Sequence, residues 1–513
     1  MTTTNICIMA SITIYLIGMV IIGAVCSKKN KKTDDFYLGG RKLGPLVTAM
    51  SAEASDMSSW LLMGLPGLAL MCGLAEATWT AIGLAIGTYV NWLIVAKRIR
   101  IYTHQLNSFT IPDFFSQRFG DTKKILTVIS AVFIIIFFIP YTASGFSACG
   151  KLFATLFGID YVKAMIISAA VIVIYCTLGG FLAASTTDFI QSIIMTIALF
   201  VVIGFGEGAV NGFDNVFENV RNMDGYLNLF EGFNVATGEK GSYGALPVIS
   251  TLAWGLGYFG MPHILLRFMA IEDENKLKIS RRVASVWVVI SMAVAVMIGV
   301  VGFSLMKNGI IPQYESATAA ETVIVDIAKV ISKYGYIPAF VAGIILAGIL
   351  ASTMSTADSQ LLAAASSVSQ NLVHETFKVK LSEKKSMWLA RISVIVISVI
   401  AVFLALNPKS SVFRIVSFAW AGFGATFGPV MLFALFWRRT NKWGALAGMV
   451  SGGITVFLWK FIVRANFAGT ALDIYELLPA FIVACIMIIA VSLLTKAPDK
   501  EVLDNFDAVK ALY

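Results

Sequence analysis

The stretch from Ser51 to Trp60 places acids and hydroxyls in an otherwise apolar setting. It holds two carboxylates, Glu53 and Asp56, together with four serines, and Pro66 follows between glycines. Polar groups are costly inside a membrane helix, and proline breaks helices. We therefore expect an unwound segment that offers backbone carbonyls to a cation and a helix N-terminus to an anionic substrate group. The alternative is a solvated helix entry, in which Asp56 faces water and the hydroxyls cap the helix.

A second polar stretch runs from Ala351 to Gln360. Four of its hydroxyls recur at helical spacing on one face, namely Ser352, Ser355, Thr356 and Ser359. Neutral oxygen ligands suit a hard monovalent cation, because several carboxylates would favour a divalent one. The pattern predicts a sodium site, and we expect this helix to be interrupted as well. Alternatively, each hydroxyl bonds a carbonyl of its own helix or joins neighbouring helices.

An aromatic stretch is the third candidate for chemistry. Trp254, Tyr258 and Pro262 recur every four residues in a glycine-rich setting. This spacing predicts one open helical face that encloses a small apolar ring, with the Trp and Tyr polar tips free to form hydrogen bonds. Tyr141, directly after Pro140 at a predicted kink, is a further candidate for the same pocket. The alternative is an aromatic belt at the membrane interface.

Membrane helices must position these groups. Of the 513 residues, 58% are hydrophobic and only 13% are charged, whereas a soluble domain has about a quarter of its residues charged. The apolar residues come in blocks of about twenty, the span of a bilayer core. We predict an all-α polytopic membrane protein with about thirteen transmembrane helices. Their centres lie near Tyr15, Leu61, Gly87, Phe137, Val173, Leu199, Gly257, Ala295, Leu350, Ile397, Gly424, Ile454 and Ile488.

The basic residues predict the orientation of these helices. Six stretches carry 28 of the 39 Lys and Arg residues: 27–44, 97–124, 267–282, 375–391, 438–442 and 496–513. Because cytoplasmic loops are enriched in Lys and Arg, we expect a multi-pass cell-membrane protein with its N-terminus outside and its C-terminus in the cytoplasm. The stretch 207–244, with six acidic and two basic residues, is then an outer loop.

No loop is long enough to be a catalytic domain, which favours transport over enzyme activity. The stretch Gly145–Lys151 matches most of a phosphate loop, but Leu152 stands where Ser or Thr must bind magnesium. The three histidines and six cysteines have no metal-site spacing. We expect no cofactor, no nucleic-acid partner and no enzyme. Glycines four residues apart, such as Gly83 and Gly87, predict close helix packing.

Four motifs closely resemble the sodium:solute symporter family, and the first two resemble its proline-transporting branch. They are Ser55-Asp56-Met57-Ser58 with Trp60-Leu61-Leu62-Met63-Gly64-Leu65-Pro66-Gly67, Gly257-Tyr258-Phe259-Gly260 with Pro262-His263, Met354-Ser355-Thr356, and Gly179-Gly180-Phe181 with Thr187-Asp188 and Gln191. The resemblance covers nearly the whole chain and implies a LeuT-like fold with inverted repeats. It implies a first helix and cytoplasmic loop over 1–44, the first repeat over 45–210 (helices 2–6), an outer loop over 211–245, the second repeat over 246–440 (helices 7–11), and helices 12–13 with the tail over 441–513.

The resemblance also implies roles for individual residues. For the main sodium site it implies the backbone carbonyls of Ala54, Met57 and Ser352 and the hydroxyls of Ser355 and Thr356. For the substrate site it implies Asp56, essential for sodium-coupled binding, with Ser58, Tyr141, Trp254, Tyr258 and Pro262. It marks Arg41 and Asp188 as functionally sensitive charges, and in relatives that transport sialic acid a second sodium site involves the positions of Asp188, Asp358 and Ser359. The chain departs from the family pattern at Glu53 and Ser59, where we expect glycine, and at Met261, where we expect glutamine.

The function implied is import of L-proline by symport with sodium, in an alternating-access cycle with the binding site at the membrane midplane. A sodium-coupled symporter of another amino acid, a sugar or a carboxylate is the first alternative. A channel would conduct without a coupled solute, and a sensor would carry a cytoplasmic signalling domain, for which the tail from Lys496 to Tyr513 is too short.

Overall fold

The computed structural model describes residues 3–27, 37–379 and 381–512 as a bundle of helices. Ten helices in this part of the chain are long and apolar enough to cross a membrane: Thr3–Cys26, Leu74–Gln105, Ile125–Phe157, Gly180–Ala209, Glu274–Lys307, Tyr336–Thr376, Lys384–Leu404, Val412–Phe436, Lys442–Asn466 and Leu477–Leu494. Three shorter apolar helices, Trp60–Cys72, Tyr161–Thr177 and Ala245–Gly260, fall in the remaining positions. Together they match the thirteen predicted segments in order, and each segment is called below by its number in that order. The second segment is taken to include the helix Pro45–Asp56, and the seventh to include the helix Pro262–Ala270. The lysines at 28–32 lie outside the described residues.

The α-helices account for most of the chain, and shorter turns of other helix types join them. The α-helices are Thr3–Ser27, Pro45–Asp56, Leu65–Cys72, Leu74–Val90, Ala96–Gln105, Ile111–Arg118, Ile125–Phe157, Tyr161–Ala209, Phe213–Arg221, Ala245–Leu252, Pro262–Ala270, Leu277–Lys307, Ala317–Ala320, Val323–Ser332, Tyr336–Ser366, Glu383–Leu404, Val412–Phe436, Lys442–Leu458, Arg464–Asn466, Leu477–Leu494 and Lys500–Lys510. The 3-10 helices are Gly39–Arg41, Ala253–Gly260 and Glu274–Lys276, and the π-helical turns are Trp60–Gly64, Asn91–Val95, Ser367–Thr376 and Trp459–Val463.

The second segment is broken, as predicted, but not by its proline. Its first half ends at Asp56, Met57 leaves the helical region with ψ at 71°, and the chain resumes through a π-helical turn at Trp60. Pro66 lies downstream of the break, where the π-helical turn Trp60–Gly64 passes directly into the α-helix Leu65–Cys72. The break at Met57 therefore does not lie at the proline, which was expected to break the helix.

The seventh segment is also broken. The prediction of a single helical face in this segment was therefore wrong. It runs as an α-helix over Ala245–Leu252, as a 3-10 helix over Ala253–Gly260, and as an α-helix again from Pro262, with Met261 extended between them. A 3-10 helix has three residues per turn, so residues four apart do not share a face.

The ninth segment, which was expected to be interrupted, is one continuous α-helix over Tyr336–Ser366. Hydroxyls of this segment donate hydrogen bonds to carbonyls of the same helix. Ser352 Oγ lies 2.8 Å from the Ile349 carbonyl, and Ser359 Oγ lies 2.9 Å from the Ser355 carbonyl. Because Ser and Thr can bond carbonyls three or four residues back, a polar face does not by itself break a helix.

Two connections complete the fold. Gly180, at φ 67° and ψ −175°, separates the fifth and sixth segments within the helical run Tyr161–Ala209. The connection after the sixth segment carries the helix Phe213–Arg221 and a small antiparallel hairpin of β1, Glu231–Phe233, and β2, Lys240–Ser242, in which Glu231 pairs with Ser242. All other regular elements within the described residues are helices.

The spaced glycines pack helices inside the bundle, as predicted. A Cβ on Gly83 would lie 2.6 Å from the Leu252 carbonyl oxygen, and one on Gly87 would lie 2.3 Å from that of Gly255. The third segment therefore lies against the backbone of the seventh, next to its 3-10 stretch. Another glycine, Gly452, makes a similar approach to the backbone of Ala425.

Candidate functional site

The hydroxyl face of the ninth segment meets the break of the second. Ser355 Oγ lies 2.8 Å from the Ala54 carbonyl oxygen and 3.2 Å from that of Ser352, and Thr356 Oγ1 lies 3.5 Å and 3.1 Å from the same two oxygens. All four residues are buried. Met57, the buried residue at which the half-helix ends, donates its own N–H to the Glu53 carbonyl. Two hydroxyls and two carbonyls thus converge, and such neutral oxygens suit a monovalent cation.

Asp56 follows Ala54 by two residues and accepts hydrogen bonds from three side chains. Tyr258 Oη donates to Asp56 Oδ2 at 2.7 Å, while Tyr141 Oη and Trp60 Nε1 donate to its backbone carbonyl at 3.2 Å and 3.0 Å. Asp56 Oδ1 has no hydrogen-bond partner among the described residues. The second, fourth and seventh segments therefore meet at Asp56, the seventh at its carboxylate and the other two at its backbone carbonyl.

Aromatic rings surround the two breaks. The Trp254 ring lies 5.1 Å from that of Tyr475 and 6.3 Å from those of Trp60 and Trp420, and the Tyr258 ring stands edge-on to Trp420 at 5.1 Å. Trp254 and Tyr258 therefore contribute to one aromatic wall through a shared neighbour on the eleventh segment. This arrangement replaces the single helical face that the four-residue spacing predicted.

The remaining substrate-site candidates lie at the two breaks themselves. Pro262 begins the second half of the seventh segment. Ser58 lies in the break of the second segment, where its N–H donates to the Asp56 carbonyl at 2.8 Å. Both residues are buried; Ser58 therefore contacts Asp56, and Pro262 lies four residues after Tyr258.

A second polar cluster is centred on Arg267, which sequence reasoning missed. Arg267 Nη2 lies 3.2 Å from Asp188 Oδ2 and 2.5 Å from Ser359 Oγ, and Arg267 Nε donates to Ser51 Oγ at 3.0 Å. Ser359 Oγ in turn lies 3.0 Å from Asp358 Oδ1. Arg267 was counted among the basic residues of the predicted cytoplasmic stretch 267–282. It is only 1% exposed and lies inside the bundle. No local pattern distinguished it from the other basic residues of that stretch.

Arg41 lies near the start of the second segment and binds backbone carbonyls. Its guanidinium donates to the carbonyls of Met269 at 2.8 Å and Ser108 at 2.6 Å, and also contacts Thr103. Burial, with Arg100 nearby, lowers the pKa of Arg41 to about 10. Arg41 therefore joins the end of the seventh segment to the loop that follows the third.

The three departures from the family pattern have different surroundings. Glu53 Oε1 accepts hydrogen bonds from Thr88 Oγ1 at 2.9 Å and Trp92 Nε1 at 2.7 Å, which anchors the second segment to the third. Met261 is the extended residue at the break of the seventh segment. Ser59 is buried in the break of the second, and its Oγ has no partner among the described residues.

A buried ion pair was also missed. Lys151 Nζ lies 2.6 Å from Glu321 Oε2, and Glu321 Oε1 accepts from Ser411 Oγ at 2.8 Å. The Lys151 that ends the phosphate-loop-like stretch is thus a structural partner of a carboxylate from the connection between the eighth and ninth segments.

Comparisons with known proteins agree with this architecture. The model of the sodium:solute symporter family matches residues 36–452. The chain is 41% identical over 508 residues to the osmoregulated proline transporter of Bacillus subtilis, covering 98% of each chain. It is 40% identical over 504 residues to the sodium/proline symporter of Escherichia coli, covering 98% of this chain and 95% of the relative. The structure of a Na⁺-coupled sialic acid symporter in a substrate-bound outward-open state matches with a TM-score of 0.77 at 18% identity, over 96% of this chain and 99% of the other, which shows a shared fold.

Proposed function

The chain belongs to the sodium:solute symporter family, and we propose that it imports L-proline across the cell membrane by symport with sodium. It is a membrane transporter and not an enzyme. The proposal is supported by full-length relatives named for proline transport and by one observation above all. The hydroxyls of Ser355 and Thr356 meet the Ala54 carbonyl at the break of the second segment, directly beside Asp56.

The proposed sodium site consists of the carbonyls of Ala54, Met57 and Ser352 and the hydroxyls of Ser355 and Thr356. Four of these residues already place an oxygen in one buried group, and a half-helix end leaves the Ala54 and Met57 carbonyls outside the normal hydrogen-bond ladder. Sodium, as the coupling ion, would bind between two segments that move relative to each other. It would therefore favour the arrangement in which they are in contact.

The proposed proline site lies between the breaks of the second and seventh segments. Asp56, Ser58 and Tyr141 would contribute its polar side, and Trp254, Tyr258 and Pro262 would enclose the pyrrolidine ring. An aromatic wall with a few polar groups suits a small ring that carries one carboxylate and one ammonium group. Asp56 would couple the two sites, because its carboxylate is held by Tyr258 while its backbone borders the proposed sodium ligands.

We propose one sodium per cycle. The positions of Asp188, Asp358 and Ser359 would form a second sodium site, but here the Arg267 guanidinium is in contact with Asp188 and Ser359 and supplies the positive charge. Because Arg267 already balances one carboxylate of this cluster, a second cation there would be attracted less strongly. Proline is a zwitterion, so one charge moves per cycle, and the membrane potential contributes roughly 2.3 kcal/mol per 100 mV.

We also propose that 45–210 and 246–440 are inverted repeats, between a first helix over 1–44, an outer loop over 211–245 and the last helices over 441–513. The support is that the second and seventh segments, the first helices of the two repeats, are both broken. For the orientation, we propose an outside N-terminus and a cytoplasmic C-terminus. The charge bias of the loops supports this, and thirteen crossings place the termini on opposite sides.

The test is uptake of labelled proline by purified transporter in proteoliposomes, driven by an inward sodium or potassium gradient. We expect uptake only with sodium, competition by proline analogues but not by sugars, and loss of uptake in Asp56→Asn. Ser398→Ala is the matched control, because the Ser398 hydroxyl bonds only the Val394 carbonyl of its own helix. Uptake that is indifferent to sodium would rule out the mechanism, and competition by another solute class would reassign the substrate.

A further inference from the structure

A large apolar cavity lies apart from the site described above, between the first, fourth, fifth and ninth segments. Its volume is about 620 Å³, and its walls include Leu16, Cys149, Ser168, Ile172 and Met354. None of the described residues that line it is charged. This volume is typical of pockets that hold a small organic ligand.

The cavity runs from exposed residues to the buried interior of the bundle. At its outer end it is lined by Ile159, in the turn between the fourth and fifth segments, and by Ile167 of the fifth segment, which are 44% and 63% exposed. At its inner end it is lined by Cys149 and Met354, which are 0% and 2% exposed. An apolar channel of this kind is a poor site for ordered water, which needs several polar partners.

The geometry points to a membrane lipid whose acyl chain occupies this cavity. All lining side chains except Ile159 belong to membrane-crossing segments, so the surrounding solvent is hydrocarbon, and an uncharged wall matches an acyl chain and not a charged solute. Methionine adapts its shape to such partners, and Met354 lies at the inner end.

The acyl chain would act on the ninth segment beside the proposed sodium ligands. Met354 directly precedes Ser355 and Thr356, and Tyr15 Oη of the first segment lies 3.7 Å from Met354 Sδ. A chain packed against Met354 would hold this turn of the helix against the break of the second segment. We therefore expect lipid occupancy to favour sodium binding, an effect that rests on the proposed function, whereas the binding of the lipid does not.

The experiment uses the full chain in lipid nanodiscs with a phospholipid that carries a diazirine at the end of one acyl chain. After irradiation, adducts are located by mass spectrometry. We expect adducts at Cys149 and Met354, which a lipid of the bulk bilayer cannot reach because these residues are buried. Adducts only at exposed positions would overturn the proposal, and so would adducts formed by a free diazirine fatty acid but not by the phospholipid.

The matched variants place the same tryptophan inside and outside the cavity. Ser168→Trp fills the cavity from the fifth segment, and Ile166→Trp adds the same ring at a 47% exposed position that does not line it. We expect loss of the buried adducts in Ser168→Trp alone. Ala164→Leu is a milder filling variant if Ser168→Trp does not fold. Buried adducts that persist in a folded filling variant would refute the assignment, whether or not the protein transports proline.

Discussion

Replacement of Ser355 by alanine tests the proposed sodium site most directly. The hydroxyl lies 2.8 Å from the Ala54 carbonyl and 3.2 Å from the Ser352 carbonyl, and the residue is fully buried. A buried hydrogen-bonding group that faces a charge contributes about 1.5–3 kcal/mol. If the hydroxyl is a sodium ligand, its loss should raise the sodium concentration for half-maximal uptake by roughly 10- to 150-fold.

Ser355→Ala leads to a second prediction, which concerns proline binding. Because coupling between two ligands is reciprocal, the variant should bind proline more weakly than the unsubstituted protein at low sodium and equally well at saturating sodium. The assay is proline uptake into proteoliposomes across a sodium titration at constant ionic strength, with Ser398→Ala as the control. If the sodium concentration for half-maximal uptake changed by less than about twofold, the reasoning would be refuted, because the loss of one such hydrogen bond predicts a larger change. So would a fall in maximal rate without any shift in the sodium titration.

Three further changes test other contacts. Tyr258→Phe should raise the proline concentration for half-maximal uptake by about tenfold, since it removes a donor to a buried carboxylate; unchanged uptake kinetics would contradict this. Gly87→Ala should abolish monodisperse protein in size-exclusion chromatography, whereas Gly204→Ala, with no atom within 4 Å of its Cβ, should not. Arg267→Met should destabilise the protein by about 3–5 kcal/mol in thermal unfolding, because it leaves Asp188 buried without its partner. Asp188→Asn in the same chain should recover part of that loss, and no recovery would argue against the ion pair.

The membrane architecture could be predicted because it depends on local composition. Apolar blocks of bilayer length are visible in the sequence, and all thirteen positions correspond to helices. The break after Asp56 was also predictable, since acids and hydroxyls are costly at that depth. Its position relative to Pro66 was not, because the π-helical turn Trp60–Gly64 passes directly into the α-helix that contains this proline.

The ninth segment shows the limit of reasoning from polarity. Its hydroxyl face correctly indicated where oxygen donors gather, but the expected interruption is absent, because the hydroxyls bond carbonyls of their own helix. The break in the seventh segment was not predicted. Trp254 and Tyr258 suggested a regular α-helix, whereas glycines in that stretch permit close backbone contact with the third and eleventh segments.

The sequence alone determined the class of molecule, the number and order of its helices, and the residue types that could bind a cation and a small ring. Only the tertiary structure decided which of these groups meet. Ser355 reaches a carbonyl 301 positions away, and Arg267 joins Asp188 to Ser359 across three segments. Hydropathy and periodicity report the environment of one helix at a time. The partners of a buried charge depend on how separate helices pack, and that packing is a property of the whole bundle.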